Sequence, residues 1–272
     1  MRPLIDCHNH SDHSFDGSQP VETLIRNAEK LGLSVLAITD HCDLSPEVYP
    51  KEQIVNTVCG SVDEVKRWRE THDSPVKILT GFELGEPIDY PDLAEEMLAL
   101  REVDMVLGSI HEGSNGRDFY YMDCKNETVE YLLGMVHDYY DRLIRLVEWG
   151  KFDVLTHITY PLRYIVGDAG IPVDMEQFRE KIDRLLKGVI EKGISLEINS
   201  SGLRQKLGQT LPGRDILTRY YELGGRMVTI GSDSHREEHF AYGIPEVQEM
   251  LKDIGFTELT YFEERKPKTI AL

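Results

Sequence analysis

Asp6-Cys7-His8-Asn9-His10-Ser11-Asp12-His13-Ser14-Phe15-Asp16-Gly17 crowds three histidines and three aspartates into twelve residues, directly after the apolar run Pro3-Leu4-Ile5. If residues 4–10 form a strand, His8 and His10 lie on the same side of it and reach one point in space. The same event recurs along the chain. Further apolar runs begin residues 34–41, 77–85, 105–112, 153–160, 195–201 and 227–235. Continuous apolar runs of this length suit strands buried on both faces of a parallel sheet. Segments with helical periodicity separate them, at 20–31, 51–72, 91–101, 127–149, 174–192, 214–223 and 245–254. Gly32, Gly193 and Gly224 follow helical stretches closely, where a left-handed residue commonly ends a helix. This β/α alternation, with no linker or low-complexity tract, predicts one domain over 1–272: a barrel or a strongly curved parallel sheet. The polar, aromatic-studded tail from Thr257 is expected on the outside of that barrel.

Composition narrows the partners. The formal net charge is −18, which repels nucleic-acid backbones and anionic membranes and offers a basic stripe to neither. A small phosphorylated metabolite is still compatible, because bound cations reverse the local field. The four cysteines are scattered without a CxxC pair, the pattern of a reduced protein without a disulfide framework. No signal-like or membrane-spanning apolar run is present, so a cytoplasmic location is expected. The sequence assigns no oligomeric state.

Nearly every apolar run ends in a histidine or carboxylate: His8 and His10, Asp40 and His41, Glu83, His111, His157, then Asp233 and His235. In a β/α barrel the carboxyl ends of the strands converge on one face, where active sites sit. Imidazole and carboxylate together suit zinc, manganese or iron. More ligands are offered than one tetrahedral ion needs, so two or three divalent ions are implied. Ions about 3.5–4 Å apart can share a bridging hydroxide and stabilise the attacking and leaving oxygens of phosphate ester hydrolysis. A lone histidine at a strand end is usually structural, and an Asp before a His is often a helix cap. Six strands ending this way are hard to explain as coincidence. His72, His137 and His239 lie in helical or loop stretches and read as ordinary surface residues; Cys7 and Cys42 are weak candidates for sulfur ligation.

Taken in order, "DCHNHSDHSFDG", "ITDH", "GFELG", "GSIH", "LTHIT" and "GSDSH" resemble the polymerase and histidinol phosphatase (PHP) superfamily, over nearly the whole chain. The resemblance implies a distorted seven-stranded (β/α)7 TIM-like barrel with a trinuclear metal centre. It assigns His8, His10, Glu83 and Asp233 to one ion. Glu83 shared with His111 and His157 would hold a second, and Asp16, His41 and His235 a third. His13 matches no ligand position and is placed outside the ligand set.

Length and the stretches "SLEINSSGLR", "THITYPLRY" and "FEERKPK" resemble the free-standing histidinol-phosphate phosphatases of histidine biosynthesis. Arg163 is then the phosphate-binding arginine, since a guanidinium grips phosphate oxygens in a bidentate way; Arg204 is a second candidate. The implied reaction is hydrolysis of L-histidinol phosphate by a metal-bridging hydroxide, with Glu83, Arg163 and His235 as catalytic residues. The alternatives are a relative acting on phosphotyrosine or a nucleotide, or an inactive metal-binding barrel. One departure is "TDH" where many phosphatase relatives carry "TEH". If Asp40 stands behind His41, its shorter arm alters only the hydrogen bonding there.

Overall fold

A computed structural model describes residues 3–272. Among the described residues, seven parallel strands pair in the order of the chain. They are β1 (Leu4–Asp6), β2 (Leu33–Asp43), β3 (Lys77–Gly85), β4 (Met105–Ser109), β5 (Val154–Leu155), β6 (Ser195–Asn199) and β7 (Val228–Gly231). Hydrogen bonds from Cys7 N–H to the Ile230 carbonyl (2.9 Å) and from Asp233 N–H to the His8 carbonyl (2.8 Å) join the first strand to the last and close the barrel. Between strands run α1 (Val21–Leu31), α2 (Lys51–Thr71), α3 (Pro91–Leu100), α4 (Val129–Trp149), α5 (Arg179–Lys192), a short α6 (Ser201–Arg204) and α7 (Arg214–Glu222). The last helix, α8 (Ile244–Ile254), follows β7. No helix among the described residues is long and apolar enough to cross a membrane.

The helices form where the periodicity places them. α1 buries Val21, Leu24, Ile25 and Ala28, a stripe at i, i+3, i+4 and i+7, and ends at Gly32 with φ 68°. Each large apolar side chain in such a stripe is worth about 1.5–3 kcal/mol relative to exposure. β2 outruns its apolar run and β3 matches it, but the other strands are shorter than their runs suggest: β1 stops at Asp6 and β5 is two residues long. The cause is local. His157 and Asp233 have φ of 22° and 53°, which no strand accommodates, so the ligand-bearing tips leave the ladder just before they turn inward. The tail lies outside the seven-stranded sheet. It forms an antiparallel hairpin, β8 (Glu258–Glu263) and β9 (Lys266–Ala271), that packs across the amino-terminal end of the barrel. There Leu259 and Phe262 are buried, Thr229 donates to the Thr260 carbonyl (2.8 Å), and Arg265 N–H bonds the Asp104 carbonyl (2.8 Å) just before β4. Floor and active face are therefore at opposite ends.

Candidate metal centre

Strand register builds the core of the centre. His41 on β2 lies directly beside Glu83 on β3, and Glu83 is 1% exposed. The two Glu83 oxygens face different partners. Oε1 lies 2.9 Å from His157 Nε2 and 3.3 Å from His111 Nε2. Oε2 lies 3.2 Å from His41 Nδ1, 3.4 Å from His8 Nε2 and 3.6 Å from His10 Nε2. Asp233 Oδ1 stands 3.4 Å from His10 Nε2 and 3.8 Å from His8 Nε2. At the rim, Asp16 reaches His235 Nε2 (3.2 Å) and His41 Nε2 (3.5 Å). Three groups of mutually close ligand atoms result: His8, His10 and Asp233; Glu83, His111 and His157; His10, His41 and His235. A fourth, Asp43, Glu86 and His111, lies behind them.

The donor set fits cations better than it fits the side chains alone. His8 Nε2 and His10 Nε2 face each other at 3.1 Å, and His235 Nε2 faces His41 Nε2 at 3.4 Å. Two ring nitrogens cannot both aim lone pairs at one another without a proton or a metal ion between them. Around His10 the tautomer follows from its neighbours. Asp40 accepts the Ser14 hydroxyl (2.6 Å), so that oxygen receives His10 Nδ1–H (3.2 Å) and the His41 N–H (3.1 Å). His10 Nε2 is thereby left bare and pointed inward. Asp40 also accepts from Ser11 N–H (2.6 Å), Ser11 Oγ (2.7 Å) and Ser61 Oγ (2.5 Å). Instead of touching the His41 ring, as expected, it anchors the loop after β1 and reaches His10 through Ser14. Gly17 lets that loop close: a Cβ there would sit 1.9 Å from the Ser11 carbonyl oxygen.

Burial alone would push the carboxyls of Glu83 and Asp233 up. The adjacent His8 offsets this for both, aided by His111 at Glu83 and by His10, His235 and Arg163 at Asp233. Both carboxyls are held well below the usual carboxylate range. Burial likewise works against charge on His111, but Glu83, Asp43 and Glu86 overcome it and raise that ring to about 10. His8 and His41 are raised well above the usual imidazole value by Glu197, Glu83 and Asp43 against the same burial. These carboxylates favour protonated rings in the absence of metal, and a ligating nitrogen must give its proton up. Zinc uptake at pH 7 is therefore expected to release protons. Calorimetric titrations in two buffers of different ionisation enthalpy should give different apparent heats; identical heats would contradict this.

Arg163 opens a π-helical turn, Arg163–Asp168, that the periodicity did not reveal. Its guanidinium stands 5.2 Å over the Tyr160 ring, donates to Ser201 Oγ (2.7 Å) and Asp233 Oδ2 (3.3 Å), and keeps Nε buried without a hydrogen-bond partner. Arg204 is committed differently, to the Ser232 carbonyl (2.6 Å) and the Asp233 carbonyl (2.7 Å), where it braces the left-handed turn at Asp233. His13 pairs with Glu64 on α2 (2.8 Å), away from the cluster. His72, His137, His239, Cys7 and Cys42 take no part in the ligand groups, and both cysteines pack in the core. Three carboxylates behind the ligands carried no sequence signal: Glu197, Asp43 and Glu86. Their partners are distant in sequence, and only "LEIN" as a phrase drew attention to the first.

A PHP domain model matches residues 6–201. The chain belongs to the PHP domain family. The chain is 32% identical over 257 residues to a probable histidinol-phosphatase of Thermotoga maritima, covering 94% of each chain. It is 30% identical over 270 residues to a probable histidinol-phosphatase of Clostridium acetobutylicum, covering 97% of this chain and 99% of the relative. Its fold superposes with a TM-score of 0.81, at 21% identity, on the histidinol phosphate phosphatase of Lactococcus lactis subsp. lactis, solved with zinc, L-histidinol and phosphate. That match covers 98% of this chain and 100% of the Lactococcus chain.

Proposed function

We propose that this PHP domain is a metal-dependent phosphomonoesterase that hydrolyses L-histidinol phosphate to L-histidinol and phosphate, a step of histidine biosynthesis. The observation that carries the reaction class is the divided Glu83 carboxylate, ringed by five imidazoles, with a half-buried guanidinium nearby at Asp233. The substrate follows from the full-length relatives. His8, His10, Glu83 and Asp233 would hold one divalent ion, Glu83, His111 and His157 a second, and Asp16, His41 and His235 a third. Zinc, manganese and iron all suit such donors. Ions bound there supply Lewis acidity toward the phosphate and the attacking water.

The chain's own groups do the rest. Arg163, already charged and held by Ser201 and Asp233, receives the equatorial phosphate oxygens as charge redistributes in the transition state. The left-handed turns at His157 and Asp233 hold ligands that an extended strand would carry past the centre. Water attacks phosphorus in line with the departing oxygen as the ester P–O bond breaks; one water proton passes to the alkoxide through the His235–Asp16 edge, which lies toward solvent, and the other stays with the inorganic phosphate. No protein nucleophile is required.

Steady-state assays of the metal-loaded protein with L-histidinol phosphate, phosphotyrosine and AMP test the substrate. The expected kcat/KM for histidinol phosphate exceeds the other two by roughly 10²-fold or more, as for a site that pairs a substrate's polar groups. A preference for phosphotyrosine or AMP would overturn the substrate. No turnover of any ester, p-nitrophenyl phosphate with added manganese included, would leave an inactive metal-binding barrel.

A further inference from the structure

We infer that Glu197 is a positioning residue that couples two neighbouring cation positions, by fixing the proton of His8 and the backbone of His157 at once. This rests on the reading of the cluster as a metal centre. Glu197 points inward from β6, is 1% exposed, and belongs to none of the ligand groups among the described residues. Both oxygens are spent. Oε1 lies 2.6 Å from His8 Nδ1; Oε2 accepts the His157 N–H at 2.8 Å and Asn199 Nδ2 at 3.3 Å. A carboxylate so close to Nδ1 keeps the proton of the neutral ring there, which makes His8 Nε2 the nitrogen free to ligate, aimed at Glu83, His10 and Asp233. The second oxygen holds the N–H of a residue whose φ of 22° is unfavourable for any side chain, and that residue presents Nε2 to the other Glu83 oxygen. One carboxylate thus ties together ligands that serve opposite sides of Glu83. Space is kept for it as well. A Cβ on Gly231 would fall 2.6 Å from Glu197 Oε1 and 2.4 Å from His8 Cβ, so β7 approaches the pair only as glycine.

Glutamine is the informative replacement because its amide has one acceptor and one donor end. With its NH2 toward His157 it opposes an N–H donor. With its NH2 toward His8 it forces the ring proton onto Nε2, the ligating atom. Either way one contact of the pair is lost. Full-length wild type, Glu197→Gln and Glu197→Asp are stripped with a chelator, checked for folding by circular dichroism melts, and titrated with Zn2+ by calorimetry. Zinc affinity is expected to fall about 10–100-fold in folded Glu197→Gln, the usual size for a group behind a metal ligand. The aspartate variant, which keeps two acceptors on a shorter arm, should recover part of it. If the glutamine variant does not fold, a weakened isotherm of folded Glu197→Asp supports the role on its own. A folded variant with the wild-type isotherm and only a lower melting temperature would overturn it, making Glu197 a packing group. Failure of the wild type to take up zinc would overturn the metal centre itself, a distinguishable result.

Discussion

Glu83→Ala is expected to lower kcat/KM for a phosphate monoester by roughly 10³-fold or more, about 4 kcal/mol, because cation stabilisation of transition-state charge is worth several kcal/mol. The reason lies in how the two oxygens divide the ring of histidines, His111 and His157 on one side, His8, His10 and His41 on the other. Removing the carboxylate unlinks the two sides and leaves protonated imidazoles facing one another without their counter-charge. The barrel itself should persist, since the apolar faces of its strands and helices do not depend on this residue. Metal analysis with circular dichroism separates the effects. Metal content should drop while the helical signal stays, and full turnover with full metal content would refute the shared role of Glu83.

Arg163→Met is expected to raise KM for phosphorylated substrates by about 10–100-fold, the ~1.5–3 kcal/mol scale of a hydrogen bond to a charged group, with a smaller loss in kcat. Methionine keeps an apolar stem for the Tyr160 ring but removes the donors to Ser201 and Asp233 and the unpartnered Nε. Arg163 also touches Asp233, so the assay is run at saturating zinc and at saturating manganese. An unchanged KM under both conditions would count against Arg163 as the phosphate contact.

Much of this was written in the sequence because strand tips are local events. A run such as Ala37-Ile38-Thr39-Asp40-His41 announces both the buried strand and the ligand that ends it, and the barrel topology supplies the convergence. The helices were equally legible from their apolar spacing and closing glycines. What stayed hidden was set by contacts across the barrel. Glu197 reads as one acidic residue inside an apolar strand until His8, 189 residues away, is seen against it. Asp40 precedes a histidine in sequence, yet its four acceptor contacts go to serines of the β1 loop and α2. Arg204 and Arg163 look alike in sequence, but the first spends two nitrogens on backbone carbonyls and the second keeps Nε unpaired. The strand ends were overextended for a related reason. A left-handed backbone at His157 or Asp233 leaves no trace in hydropathy.

The seam between β1 and β7 has a consequence for how the protein matures. His8 and His10 are synthesised well before Asp233 and His235, and the closing bonds at Ile230, Asp233 and Ser234 bring these distant stretches side by side. A nascent chain halted before that point holds two early imidazoles with half a coordination sphere. Gathering the full set of proposed ligands therefore requires the circle of strands to have shut.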